Sequence, residues 1–315
     1  MLLVNIPANK TNTKANMNTL LDKTVIFSFD RSGFERHSKS FEDLPVAKPL
    51  GRVLITGGTS GIGKACADFL LDHGNQCLVT GRDPRKFESK AGLVSQSLDL
   101  SNWEEVVSFA KNIELVDHLV LNAGGMPDEH RENAQGCEYQ AASQLVGHLL
   151  LFETLHRLGK LREGAKIITV SSGGMLLKKL DLETLFQTSR YDKVAQYANV
   201  KRAQVIMTDI LATRYRQYHF SAMHPGWVAT PALEQALPGF FSFFKKRLRT
   251  HYQGADTILW LLYSNEISSG KFWFDRSMAN AHPLSFTNST ESDRQSLAGQ
   301  VDQEIEAILV SKSLV

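Results

Sequence analysis

The stretch Val53-Leu-Ile-Thr-Gly-Gly-Thr-Ser-Gly-Ile-Gly63 decides how the rest of the chain is read. Three β-favouring apolar residues, Val53-Leu-Ile55, run directly into a turn with glycines at positions 57, 61 and 63. Beyond the turn, Ile62, Ala65, Cys66, Phe69 and Leu70 share one face of a helix over Gly61–Asp72. Strand, glycine turn and helix in that order make a phosphate cradle. Glycine permits the tight turn and close backbone approach, and the helix N-terminus offers free amides to a pyrophosphate. The candidate contacts are Thr56, Gly57, Thr59, Ser60, Gly61, Ile62 and Gly63. Gly74 stands where the helix end calls for a left-handed residue.

The same alternation continues outward. Gln76–Val79, Val94–Leu98, His118–Leu121, Lys166–Val170, Phe220–Met223 and Lys271–Phe274 join Val53–Ile55 as seven strand-like runs separated by amphipathic stretches. Ser101-Asn-Trp-Glu104 reads as a capping box opening a helix to about Asn112. Strands rich in Val, Ile and Leu that alternate with helices predict one α/β domain over residues 51–315. The strands are expected to run parallel and to be covered by helices on both faces. Residues 1–22 read as a disordered leader. Residues 23–50, with Phe27, Phe29, Phe34 and Phe41 among charges, read as an extension that docks on something without forming a core.

Composition removes other classes. The 315 residues carry 35 Lys+Arg against 33 Asp+Glu, a net +2, which gives no field for holding nucleic acid. Three widely spaced cysteines, Cys66, Cys77 and Cys137, argue against a disulfide framework and a cysteine zinc site, and for a reducing compartment. The ten histidines show no ligand spacing, so no metal is expected. No apolar run resembles a secretory signal or a spanning helix. A cytoplasmic protein is expected.

Two further motifs carry chemistry. In Thr80-Gly-Arg-Asp83, Gly81 leaves empty the acidic position that would accept the ribose hydroxyls of NAD, while Arg82 offers a guanidinium to a 2′-phosphate. NADP(H) is therefore expected in preference, and Asp83 keeps NAD(H) open. Tyr197-Ala-Asn-Val-Lys201 sets a phenol and an ammonium on one helix face, where the cation favours the phenolate. Ser172, past the strand Lys166–Val170, can hydrogen-bond a substrate carbonyl.

Thr56–Gly63, Asn122-Ala-Gly124, Ser172, Tyr197-xxx-Lys201 and Pro225-Gly226, in this order, resemble the short-chain dehydrogenase/reductase superfamily. The likeness implies an α/β single-domain Rossmann-type doubly wound fold, a seven-stranded parallel sheet with helices on both faces; it implies that Tyr197 is the proton donor, that Lys201 binds the nicotinamide ribose and lowers the tyrosine's pKa, and that Ser172 holds the substrate oxygen. It further implies that Asp99, beside Leu100, meets the adenine amino group, and that Asn122, Ala123 and Gly124 support the cofactor. Pro225, Gly226, Val228 and Thr230 would lie on its nicotinamide side. One position departs: Gln144 stands where the family usually has Asn, and its extra methylene displaces the amide. A shift of about 1 Å can cost as much as 100-fold. The resemblance also implies a homo-oligomer and a small carbonyl or alcohol substrate, lipophilic in character.

Three questions stay open at this level. Gly173–Gln196, with Met175, Leu176, Leu177, Leu180, Leu182 and Phe186, is either a pocket lining or a packed helix and loop. Phe240-Phe-Ser-Phe-Phe244 with Lys245-Lys-Arg-Leu-Arg249 is a peripheral membrane contact, a substrate lid near residues 228–252, or core packing with a solvated basic edge. The leading function is an NADP(H)-dependent oxidoreductase; the alternative is a nucleotide-binding sensor or scaffold with little catalysis, for which Gln144 speaks. A sugar-nucleotide epimerase is disfavoured by the spacing of the glycine turn.

Overall fold

Alternate residues along each strand divide between two cores, as period-two geometry requires. Leu54, Leu78, Leu119, Leu121, Ile167 and Phe220 enter one. Val53, Ile55, Cys77, Val79, Val120, Ile168, Val170 and Met223 enter the other. The computed structural model describes residues 25–86, 88–265 and 267–314, so the leader expected over 1–22 lies outside the described residues.

The strands are β1 Arg52–Thr56, β2 Gln76–Gly81, β3 Leu93–Ser97, β4 His118–Leu121, β5 Lys166–Val170, β6 His219–Met223, β7 Lys271–Phe274 and β8 Ser277–Met278. Their spatial order is β3-β2-β1-β4-β5-β6-β7-β8, parallel from β3 to β7. The expected sheet of seven strands thus gains an eighth. β8 returns antiparallel from β7 with Trp273 opposite Met278 and Phe274 opposite Ser277. The two-residue turn between them holds Asp275 at φ 47° and Arg276 at φ 58°, left-handed conformations that neither residue favours.

The helices are α1 Val25–Phe29, α2 Arg31–His37, α3 Gly61–Asp72, α4 Trp103–Asn112, α5 Tyr139–Ala141, α6 Gly147–Arg157, α7 Leu182–Leu185, α8 Lys193–Arg214, α9 Pro231–Ala236, α10 Pro238–Phe244, α11 His251–Tyr263 and α12 Glu291–Ser311. A π-helical segment, Ala142–Val146, joins α5 to α6. Helices α4, α6, α8 and α12 supply the first core, whereas α3 and α11 supply the second. Gly74 closes α3 at φ 76°. The cap of α4 differs from the expected box: Asn102, one residue later, accepts from the Glu105 amide, and Ser101 Oγ donates to Asp99 Oδ1 at 2.7 Å instead. A shorter side chain already bonded to an aspartate is unavailable to the helix.

The segment before Gly51 runs along the domain. Leu44, Val46 and Leu50 pack on the second core, and Phe29 enters a third cluster with Met175, Leu176, Val205, Ala222 and Phe272.

Candidate active site

The chemistry-bearing positions gather at the carboxyl ends of the central parallel strands. Thr56 ends β1, Asn122-Ala-Gly124 follows β4, Ser172 follows β5 and Pro225-Gly226 follows β6. Sequence order reverses between β1 and β4, so a crevice opens outside their ends.

The glycine turn is built as a cradle. Gly57 and Gly61 hold φ of 65° and 56°, open to glycine without strain. A side chain at Gly63 would strike the Gly57 carbonyl and lie 2.6 Å from Asn122 Nδ2. Asn122 explains that crowding: its Nδ2 donates to the Thr56 and Gly57 carbonyls at 3.0 and 3.1 Å, fastening the turn to β4. Ser60 stands at the N-cap of α3 but makes no side-chain cap bond. The first-turn amides of the helix thus keep their capacity for an anion. Thr230 closes the far side, its Cγ2 3.2 Å from where a Gly61 Cβ would sit, and Val228 packs toward Ile62 across Gly254.

Thr56 has a different place from the one expected. It is fully buried, and its hydroxyl accepts from the Asn122 and Ala123 amides at 2.9 and 3.1 Å and meets His148 Nε2 at 2.9 Å. Its side chain is a joint between β1, β4 and α6. Burial pushes His148 down to about 3, with the charge of Lys201 a further cause, so the ring is neutral. Its Nδ1 lies 2.9 Å from the Gln144 carbonyl, which can only accept, so Nδ1 carries the proton. Sequence reading missed His148 because an isolated histidine in an apolar helix carries no local signature.

At the end of β2, the Arg82 guanidinium is exposed and donates to the Tyr139 hydroxyl at 2.7 Å. Asp83 is gripped by Arg85 through bonds of 2.8 and 3.0 Å, which hold its carboxyl below the ordinary range. Asp99 turns one oxygen onto the Ser101 amide and hydroxyl at 2.9 and 2.7 Å, and Leu100 is buried behind it.

Tyr197 and Lys201 lie on α8, which the bond from Ser171 Oγ to the Lys201 carbonyl (2.9 Å) ties to β5. Lys201 Nζ donates to the Val170 carbonyl at 3.0 Å and sits 5.3 Å from the Tyr197 ring centre. Burial lowers its ammonium to about 7. Burial also pushes the Tyr197 phenol up to about 12, and a hydrogen bond with Ser172 works against that rise. Desolvation is the larger of the two influences, and it favours the protonated phenol.

Gln144 lies inside the π-helical segment, where the backbone is displaced by an extra residue per turn. Its Nε2 donates to the Gly125 carbonyl at 2.7 Å, and its Oε1 is buried with no partner. A Cβ at Gly124 would lie 2.7 Å from that oxygen and 3.5 Å from Lys201 Nζ. The absent side chain leaves a polar niche between amide and ammonium.

The insertion Gly173–Gln196 is largely packed. Met175, Leu176, Leu180 and Leu185 are buried, Leu177 is exposed, and α7 sits against the first core. The basic run after α10 is not a free cationic edge, because Arg247 and Arg249 turn inward to the N-terminal segment. Phe240 and Phe244 pack on Trp227 at 5.0 and 5.1 Å, leaving Phe243 82% exposed beside Lys245 and Lys246. Among the described residues, no helix is long and apolar enough to cross a membrane.

Fold and cradle together define a Rossmann-type protein of the nicotinamide-nucleotide class. The family model for short chain dehydrogenases matches residues 51–238. The chain is 36% identical to human dehydrogenase/reductase SDR family member 12 over 298 residues, covering 87% of this chain and 93% of that one. It is 28% identical to human retinol dehydrogenase 12, covering 76% and 82%. A solved Mycobacterium paratuberculosis structure matches with a TM-score of 0.59 at 26% identity, over 73% of this chain and 82% of that one. The Pseudomonas aeruginosa RhlG/NADP complex matches in fold, with a TM-score of 0.57 at 17% identity over 74% and 96%. The chain belongs to the short-chain dehydrogenase/reductase family, and it is an NAD(P)-dependent oxidoreductase.

Proposed function

We propose that the protein interconverts a carbonyl and an alcohol on a lipophilic small molecule, with NADP(H) as the preferred cofactor. The observation that carries this reading is the pairing of Ser172 with the Tyr197 phenol past the end of β5, with Lys201 held on the Val170 carbonyl 5.3 Å from the Tyr197 ring centre. The cradle fits a dinucleotide: uncapped amides at the start of α3 suit the pyrophosphate, and the absence of a side chain at Gly63 lets the turn close against the Gly57 carbonyl and Asn122. The nicotinamide, when bound, supplies or accepts the hydride.

This chain's own residues do the rest. Ser172 Oγ orients the carbonyl oxygen, and Tyr197, protonated at neutral pH, delivers a proton to that oxygen as charge develops on it. Lys201, near half-protonation at neutral pH, holds the cofactor ribose and passes a proton back toward the phenol. Asp99 engages Ser101 through Oδ1 and offers Oδ2 to an adenine amino group. The preference for the 2′-phosphate rests on charge. Arg85 neutralises Asp83, the acidic group that would favour NAD, while the exposed Arg82 keeps a guanidinium for the phosphate. The lipophilic class rests on Trp227, Phe240 and Phe244, and on the retinol named in a relative that shares most of this chain.

The test is Tyr197→Phe. Turnover of aldehydes and ketones with NADPH is expected to fall by about 1,000-fold or more, with NADPH affinity retained. Undiminished turnover in the variant overturns the assignment. Gln144 favours a second reading, a cofactor sensor with slow turnover, because its unpartnered amide oxygen stands where the family places an Asn. A wild-type enzyme that binds NADPH tightly yet reduces no carbonyl in a broad screen would establish it.

A further inference from the structure

The residue after Ser172 is Gly173, and a Cβ there would lie 2.6 Å from Phe29 Cε2 and 3.1 Å from His224 Cε1. Phe29 comes from the segment that precedes the nucleotide-binding domain, yet its ring is buried at the end of β5. It stands edge-on to His224 at 4.3 Å, to Phe274 at 5.2 Å and to Trp227 at 6.2 Å. Its carbonyl accepts from the Trp227 amide at 2.8 Å. The aromatic row Phe29, Trp227, Phe240 and Phe244 therefore runs unbroken from the catalytic serine's neighbour to α10.

What holds this row is ionic and buried. Asp30, fully buried, caps α2 through the Gly33 amide and receives Arg247 Nε at 2.7 Å. Arg249, also fully buried, donates to the Ser28 carbonyl at 2.9 Å and the Asp30 carbonyl at 3.1 Å. The same guanidinium clasps Asp275 at 2.5 and 2.8 Å, and His37 meets Asp275 at 2.6 Å. Arg276 reaches the Glu42 carbonyl at 2.6 Å and lies 4.6 Å over Phe41. The later part of the segment is thus anchored on the two left-handed residues of the β7–β8 turn, and its beginning on Arg247 and Arg249, between α10 and α11. Left-handed non-glycine residues persist only where their surroundings over-determine them, and buried charges persist only when paired. The segment is a fitted part of the domain.

We infer that the N-terminal segment Val25–Phe41 forms part of the substrate site, with Phe29 a positioning residue that sets the spacing of Gly173 and Trp227 and so shapes an apolar groove for the hydrocarbon portion of a carbonyl or alcohol substrate. This rests on the oxidoreductase reading above. Phe29 does not touch the reacting atoms. It acts through Gly173, which follows Ser172, and through Trp227, which is only partly buried.

The experiment uses the full chain and the Phe29→Leu and Asp30→Asn variants, since Asn preserves the cap of α2 while dropping the charge that Arg247 pairs with. The readout is the ratio of kcat/KM for decanal to that for butanal with NADPH. A residue needed only for folding would lower both values together; a groove-shaping residue changes the ratio. The ratio is expected to fall at least fivefold in each variant, with the Kd for NADPH within twofold of wild type. A ratio unchanged within twofold in both variants, or one that falls only in step with NADPH affinity, overturns the inference. If the wild type reduces neither aldehyde, the function proposed above fails for this class, and the groove is read without catalysis. Displacement of a bound anilinonaphthalene sulfonate probe by 1-decanol is expected to weaken at least fivefold in Phe29→Leu. Equal displacement in variant and wild type overturns the inference independently of turnover. Should Phe29→Leu fail to fold, Asp30→Asn decides by the same measurements.

Discussion

Lys201 shows how chemistry competes with stability at a single side chain. Its ammonium is buried with the Val170 carbonyl as its bonded partner, and burial brings it to about 7. Between pH 7 and the usual lysine range near 10.4, the unfolded chain binds a proton that the native protein does not, so stability rises with pH across that window. Below pH 7 the burial penalty is present in full, on the order of 4 kcal/mol. Lys201→Met is therefore expected to raise Tm by several degrees at pH 7 while abolishing turnover; a lower Tm in thermal unfolding would show that the bond to Val170 outweighs desolvation. Arg82 is the opposite case, an exposed charge whose value lies in what it recognises. Arg82→Ser is expected to weaken NADPH by tenfold or more and leave NADH within about twofold, since a charge-assisted hydrogen bond contributes about 1.5–3 kcal/mol. Equal losses for both cofactors in fluorescence titration would remove Arg82 from the phosphate site. Tyr197 and Lys201 were legible as a pair because an i, i+4 spacing needs only a helix, and Ser172 as a residue just past a strand. His148 was not, since its role depends on β1 and the Gln144 carbonyl meeting around it.

Elements were legible where their boundaries are set locally. Helix α3 begins and ends where its apolar face, glycine turn and Gly74 predict. Helix α4 starts later than its Ser-x-x-Glu pattern indicates, because Asp99 engages Ser101 and leaves Asn102 to cap the amides. Asn102→Ala is expected to lower stability by about 1 kcal/mol. Glu104→Ala should cost about 0.5 kcal/mol or less, since Glu104 only reaches Lys312 at the surface. Denaturant midpoints with unchanged slopes would check both, and a larger loss at Glu104 would restore the box. The eighth strand escaped notice for a related reason. Ser277–Met278 is exposed and too short to show a period, and its turn lacks the Asn-Gly or Asp-Gly signal of a two-residue hairpin. The conformation is imposed by Arg249 and His37 on Asp275, and by Asp256 on Arg276.

For the molecule as a whole, acid is the sensitive direction. Burial holds His118 at about 4, and His148 and His224 at about 3, all neutral in the native state. An unfolded histidine takes up its proton near 6.5, so the unfolded chain binds more protons as pH falls from 6.5 toward 3, and stability falls with it. At pH 5 each contributes about 2 kcal/mol of loss. The urea midpoint is expected to drop markedly between pH 7.5 and 5, before the buried Asp30 and Asp275 carboxylates can titrate, since their pairing keeps both below the ordinary range. A midpoint unchanged over that interval would mean that these histidines are charged or exposed in the native protein.

Local rules in the chain determined the alternation of strands and helices, the glycine cradle and the placing of Tyr197 and Lys201 on one helix face. Each follows from a periodicity or a turn that neighbouring residues enforce on one another. The tertiary structure alone decided what surrounds them. Long-range pairing turned Arg247 and Arg249 inward from an apparent basic edge, set Thr56 as a joint, and brought Phe29 from an apparent appendage to the residue beside Ser172. Buried charges and aromatic rings find their partners across more than 200 residues, and spacing along a chain carries no record of a contact that only the closed fold creates.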